Sequence, residues 1–214
     1  MAIPAIAAVA YGLEVANRDL DESRVPLLGV VAAFVFAAQM LNFPIAGGTS
    51  GHLLGATLAA VLLGPWLACL VLAVVLTVQA FAFADGGITA LGANVLNMGV
   101  LGALAAGLIL GAAVRAFSPD RATFLAMVAG VSWIAVMVGA AATSIQLALS
   151  GTIPLGTSLP PMLGVHALIG IGEAVITVAA VSAVLAARPD LVALGRFPAR
   201  ERAPGPRTAE EGVT

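Results

Sequence analysis

The chain has 214 residues, of which 61% are hydrophobic and only 9% charged, and its mean hydropathy is +1.08. A soluble domain carries about 25% charged residues, so this chain cannot cover its own surface with polar groups and its main solvent is lipid. Disorder, a disulfide scaffold and a water-soluble enzyme are excluded, and a net charge of −2 without a single lysine leaves no basic surface for nucleic acid.

A membrane helix needs about 20 apolar residues. Apolar segments run over 2–16, 25–43, 52–64, 65–84, 92–115, 122–149 and 163–187, separated by glycine, proline and charge. The alternation of a β-barrel is missing, so the pattern predicts an all-α, polytopic membrane protein of about seven helices, with one transmembrane domain over 1–187. The first segment is short and follows no basic stretch, which reads as a truncated helix rather than a signal peptide. The third, 52–64, covers roughly 20 Å of a core about 30 Å thick, and Pro65 pins its inner end. Its outer end and the 42–51 stretch must therefore dip below the surface, where irregular backbone is tolerated only if buried in protein or lining a cavity. A half-length helix of this kind is a common way to build a transporter site.

Every positive side chain is an arginine: Arg18, Arg24, Arg115, Arg121, Arg188, Arg196, Arg200, Arg202 and Arg207. Threading seven helices places all of them on one side, which puts the N-terminus outside and the C-terminus in the cytoplasm. The tail 188–214 is rich in Pro, Arg and Glu and is predicted to be disordered. Cys69 lies alone in an apolar run and reads as a small core hydrophobe.

Few residues inside the spans carry chemistry. His52 follows Gly47-Gly48-Thr49-Ser50-Gly51 and is expected to open the short third helix, with Thr49 or Ser50 capping it. The helix N-terminus would then keep the imidazole neutral, with a lone pair for a metal. The competing reading is a loop histidine bonded to a carbonyl. His166 and Glu173 lie seven apart on one face of the last helix, with Gly170 and Gly172 between them. They either tie helices together or stand near a ligand, since ionisable groups at membrane depth are functional candidates. Asn94 and Asn97 orient a ligand or loop, or act as interhelical glue like Gln39, Gln79 and Gln146. Gly99, Ala103, Gly107 and Gly111 recur every four residues and form a smooth ridge, for internal packing or for docking a partner subunit. Gly48-Thr49-Ser50-Gly51 also matches the GxSG of rhomboid-type intramembrane proteases, which would pair Ser50 with His166.

Four ordered blocks carry a more specific resemblance: Val25-Pro26-Leu27-Leu28-Gly29 with Phe36–Pro44; Gly47–Leu53; Asp85-Gly86-Gly87 with Leu91–Gly99; and His166–Glu173. Over roughly 5–187 the chain resembles the CbiM/NikM family, the substrate-binding (S) components of energy-coupling factor transporters for cobalt and nickel in prokaryotic cell membranes. The resemblance implies a metal-transport subunit without a cofactor, carrying Co²⁺ or Ni²⁺. Its implied partners are a transmembrane coupling (T) subunit, cytoplasmic ATPases and, in many systems, a small accessory membrane subunit. It also implies a square-planar nitrogen site, built from the free amino terminus, the backbone nitrogen and side chain of a histidine that follows the initiator Met, and the histidine of the GTSGH block, here His52. Such a donor set suits Ni²⁺ and accepts Co²⁺. The family begins Met-His-Ile-Pro, whereas this chain begins Met1-Ala2-Ile3-Pro4. Ala10–Arg24 aligns with the end of the family's first helix, so the segment with most of the ligands is expected to be missing, through start-site misassignment or divergence. Two other functions stay in play: the Ser50/His166 protease, and a membrane scaffold that docks partners without binding a ligand.

Overall fold

The structure is a computed structural model that describes residues 1–46 and 49–195, with backbone only at Asp19. Among the described residues, seven helices form a bundle: α1 (Ala2–Asp19), α2 (Val25–Gln39), α3 (Ala56–Leu63), α4 (Pro65–Ala82), α5 (Leu91–Phe117), α6 (Arg121–Leu149) and α7 (Leu155–Ala187). Single 3₁₀ turns precede α2 (Glu22–Arg24) and follow α7 (Pro189–Leu191). Helices α4 to α7, and the 22–39 stretch that includes α2, are long and apolar enough to cross a membrane. Helix α1 has 18 residues, but Glu14 and Arg18 make its C-terminal half polar.

Helix α3 has only eight residues, and all eight are buried. At 1.5 Å per residue it is about 12 Å long, so it is a plug inside the bundle, surrounded by α2, α4, α5, α6 and α7. The run 51–55 just before it is buried or half-buried, as membrane depth requires, whereas most of the described part of 41–50, which the sequence placed below the surface, is exposed. A small addition to the all-α expectation precedes it. Strands β1 (Phe43–Ile45) and β2 (Thr49–Gly51) form an antiparallel hairpin with Pro44 opposite Ser50.

Polarity is inverted relative to a soluble bundle. On α7, Leu168, Ile171 and Val175 are 56–72% exposed, while Ser158, His166, Glu173 and Thr177 are buried. The apolar stripe faces lipid and the polar one faces the other helices. The small-residue ridge of α5 is used inside the molecule. A Cβ on Gly107 would stand 2.9 Å from Pro65 Cβ, and one on Gly99 3.5 Å from the Cys69 carbonyl. Cys69 itself is fully buried. Gly170 admits Trp133, whose Cδ1 would be 2.8 Å from an added Cβ, whereas Gly172 faces open space. The Trp133 indole N–H donates to the Ala167 carbonyl at 3.1 Å and locks α6 to α7, the most extensive helix pair.

Two boundaries differ from the pattern-based ones. Helix α7 starts at Leu155, and Pro160 and Pro161 lie inside it, because its neighbours in the bundle hold a first turn and a half that local propensity would break. After α7 the chain folds back: Val192 is buried, and the Leu194 N–H donates to the Val61 carbonyl at 3.2 Å. The tail expected to be disordered from Arg188 therefore begins with packed residues, and its part from 196 onward lies outside the described residues. Around Asp120, whose Oδ1 accepts the Thr123 N–H at 2.8 Å to cap α6, that bond holds the carboxyl below its usual range.

Candidate functional site

Between the hairpin and the buried helix the chain is held by side chains from two other helices. The Leu54 and Gly55 N–H groups donate to the two carboxylate oxygens of Glu173, at 2.9 and 2.7 Å. Gln39 Nε2 donates to the Leu54 carbonyl at 2.7 Å. Gly55 has φ +67°, the left-handed region, and closes the extended run just before α3. Helix α2 thus supplies Gln39, α7 supplies Glu173, and the segment between them is clamped from both sides. Glu173 also stands at the positive end of α3, where an acid is favoured.

This geometry corrects the sequence reading of His52. Helix α3 begins at Ala56, four residues later than expected, with Gly55 as its N-cap and no side-chain cap. The left-handed Gly55 forbids a continuous helix from 52, and Glu173 takes the N–H groups that Thr49 or Ser50 were expected to cap. Thr49 and Ser50 belong to β2 instead. His52 is half-buried in the run between, and its Nδ1 lies 2.8 Å from the Leu53 carbonyl. A carbonyl oxygen only accepts, so Nδ1 carries a proton, and in the neutral ring Nε2 is the nitrogen with the lone pair. The loop-histidine reading and a free metal-binding nitrogen are therefore compatible.

His52 lines a cavity of about 260 Å³, together with Thr49, Ser50, Asp85, Asn94, Asn97 and His166. Of the candidate site residues Thr49, Ser50, His52, Asn94, Asn97, His166 and Glu173, the structure brings all but Glu173 to this cavity; Glu173 stands behind the wall and holds Leu54 and Gly55 in place. Asn97 is glue: it bonds Thr143 Oγ1 and Gln146 Oε1 at 3.0 Å, and Gln146 Nε2 returns a bond at 2.6 Å, tying α5 to α6. It sits in a π-helical stretch, Val95–Ala105, whose wider turn is frequent at functional sites. Asn94 supports a loop, donating to the Gly86 carbonyl at 3.2 Å. Thr49 Oγ1 donates to Met162 Sδ at 3.4 Å and ties the hairpin to α7. His166 Nδ1 is 2.8 Å from the Met162 carbonyl, a bond within its own helix, so His166 does not join helices.

Asp85 was not singled out, although Asp-Gly-Gly marks a loop where an acid can face a site. It is the acidic residue on the cavity wall. Its carboxylate attracts cations, so Asp85→Asn is expected to slow entry of a divalent ion by about two- to tenfold at low salt, less at high salt. Stopped-flow quenching of a metal-sensitive fluorophore would measure it. A larger space of about 480 Å³ lies at the other end, lined by Gly111, Arg115 and Leu194 among others. Arg115 is its charged residue and repels a cation, so the smaller cavity is the better candidate for a cation site.

Comparison with known proteins agrees with this picture. Residues 1–191 match the family model described as the cobalt uptake substrate-specific transmembrane region, CbiM. The chain is 43% identical over 192 residues to a putative fused nickel transport protein, NikMN, of Archaeoglobus fulgidus, covering 89% of this chain and 62% of that one. It thus spans less than two thirds of that relative. It is 34% identical over 211 residues to the cobalt transport protein CbiM of Sorangium cellulosum, covering 96% of this chain and 91% of the relative. Among solved structures, a truncated transition metal transporter superposes with TM-score 0.77 at 33% identity, over 85% of this chain and 89% of that one. The relatives are named as transport proteins, which supports a membrane transporter component rather than an enzyme. The chain belongs to the CbiM family of cobalt uptake substrate-specific transmembrane regions.

Proposed function

We propose that the chain is the membrane-embedded substrate-binding component of an energy-coupling factor importer for Co²⁺ or Ni²⁺, and that His52 takes the ion in the cavity. The observation that carries this reading is the clamped segment: Glu173 and Gln39 fix Leu54 and Gly55, so that His52 presents a free Nε2 to an enclosed space. Among the described residues no group of three His, Cys, Asp or Glu side chains lies together. The family resemblance implies backbone and terminal nitrogens as the remaining donors, which suit a square-planar ion. Residues 1–187 act as one membrane domain. The end that carries Arg115, Arg121 and Arg188 faces the cytoplasm, where a coupling subunit and ATPases supply the energy. The sequence has no phosphate-binding GxxxxGK[ST] loop of its own.

Isothermal titration of the protein in lipid nanodiscs with Ni²⁺ and Co²⁺ tests the proposal, alone and with a Met-His-Ile-Pro segment added at the amino end. The extended form is expected to bind in the micromolar range or tighter, the given chain more weakly, and His52→Ala to lose at least about tenfold. Absence of binding by both forms would sink the reading.

A further inference from the structure

The space of about 480 Å³ at the opposite end of the bundle has no part in holding the ion. It lies between the last turn of α5, the Ser118-Pro119 link and the chain that folds back after α7, with Gly111, Arg115 and Leu194 on its walls. Its volume falls in the roughly 300–1,000 Å³ range of ligand pockets. The Leu194 wall is fixed in place. Its N–H donates to the Val61 carbonyl at 3.2 Å, and a Cβ on Gly111 would stand 3.5 Å from Leu194 Cδ2.

Arg115 gives this space its chemistry. Among the described residues it makes no hydrogen bond and no ion pair. Two other arginines of that end are committed: Arg121 donates to the Ser182 carbonyl at 3.0 Å, and Arg188 holds Asp190 at 2.6 Å. Asp120 is turned to the start of α6, where its Oδ1 accepts the Thr123 N–H. The helix also sets what lies above Arg115. Leu108, Ala112 and Arg115 follow at spacings of four and three and so share one face of α5. All three are exposed, as is Ile109 beside them. In a membrane this face lies against acyl chains, and Arg115 ends it where the sequence turns polar at Ser118-Pro119-Asp120-Arg121. An apolar stripe that runs down to an unpaired guanidinium beside a cavity matches a molecule with an acyl chain above and an anionic phosphate below. Basic pockets between membrane helices take anionic headgroups, and guanidinium grips a phosphate with two parallel hydrogen bonds.

We propose that this cavity binds one anionic phospholipid, its phosphate held by Arg115 with the Ser118 hydroxyl as a further donor, and an acyl chain laid along Ala112 and Leu108. Ala112 presents only a methyl group, so the chain can lie close to α5 just above the headgroup. The assignment is independent of the ion site at the other end of the bundle.

The test uses the full chain in detergent, titrated with phosphatidylglycerol, phosphatidylcholine and inorganic phosphate and followed by native mass spectrometry. The wild type is expected to hold one phosphatidylglycerol about fivefold or more tightly than phosphatidylcholine, the contribution of one arginine at a membrane surface. Arg115→Gln should erase that preference and Arg115→Lys should keep part of it, whereas Arg121→Gln should leave it intact. Size-exclusion elution reports folding. In a bilayer of equal phosphatidylglycerol and phosphatidylcholine, a benzophenone amino acid in place of Ala112 should crosslink mainly to phosphatidylglycerol. Equal affinity for the two lipids, or a preference that survives Arg115→Gln, would overturn the proposal. Displacement of phosphatidylglycerol by inorganic phosphate would make the site one for a free anion and refute the lipid. A crosslink to residues 196–214 in place of lipid would assign the space to the chain's own end and refute it as well. Should Arg115→Gln misfold, the crosslink partner in the otherwise wild-type chain decides.

Discussion

Glu173→Ala is expected to destabilise the protein by about 3–5 kcal/mol, with Glu173→Gln costing about half as much. The carboxylate is 3% exposed and is the acceptor for two backbone N–H groups, Leu54 at 2.9 Å and Gly55 at 2.7 Å. Truncation leaves both donors buried without partners, at about 1–3 kcal/mol each. Glutamine keeps one acceptor oxygen but turns an NH₂ toward the other donor. The loss reaches function because His52 is two residues before Leu54. With its anchor gone the segment samples other conformations, and metal affinity is expected to fall even in the folded fraction. Thermal unfolding in detergent, followed by Ni²⁺ titration below the transition, separates the two effects. A melting temperature within about 2 °C of wild type would show that the two N–H groups find other acceptors.

The second large effect is expected at Gly55. Its φ of +67° is costly for any residue with a Cβ, by roughly 1–2 kcal/mol, and a Cβ there would lie 2.8 Å from Val35 Cγ2. Val35 is fully buried and stiff at χ1 because it is β-branched, so relief requires α2 to move. Overpacking of this kind costs about 1–3 kcal/mol, and Gly55→Ala should lose about 2–5 kcal/mol in total. Combining it with Val35→Ala should remove the clash but not the backbone strain, so part of the loss should persist. Full recovery in the double variant would mean that the left-handed conformation is not strained here. No loss in the single variant would mean that the segment relaxes freely.

The lipid-facing architecture was legible because it depends on composition and on period. Helices α4, α5 and α6 begin and end within a few residues of the apolar segments, since glycine, proline and arginine terminate helices locally. The site residues were legible as a set because ionisable groups at membrane depth are scarce, and His52, His166, Asn94 and Asn97 do line one cavity. Their roles were not. The capping of α3 was sought in Thr49 and Ser50, neighbours in sequence, but the N–H groups there are taken by Glu173, more than a hundred residues away. Helix α7 was started too late because two prolines argue for a break, and only the surrounding helices override them.

Sequence by itself determined that the chain lives in lipid, that all its arginines can lie at one end, and which four blocks mark its family. Those properties are sums over local residue types, and transfer to lipid acts on each residue separately. Tertiary structure decided where α3 begins, that His52 sits in a clamped run rather than at a helix end, and that His166 faces the same space. These depend on hydrogen bonds between residues far apart in the chain, and in a dry interior such a bond outweighs the local preference because the unpaired group has no water to turn to.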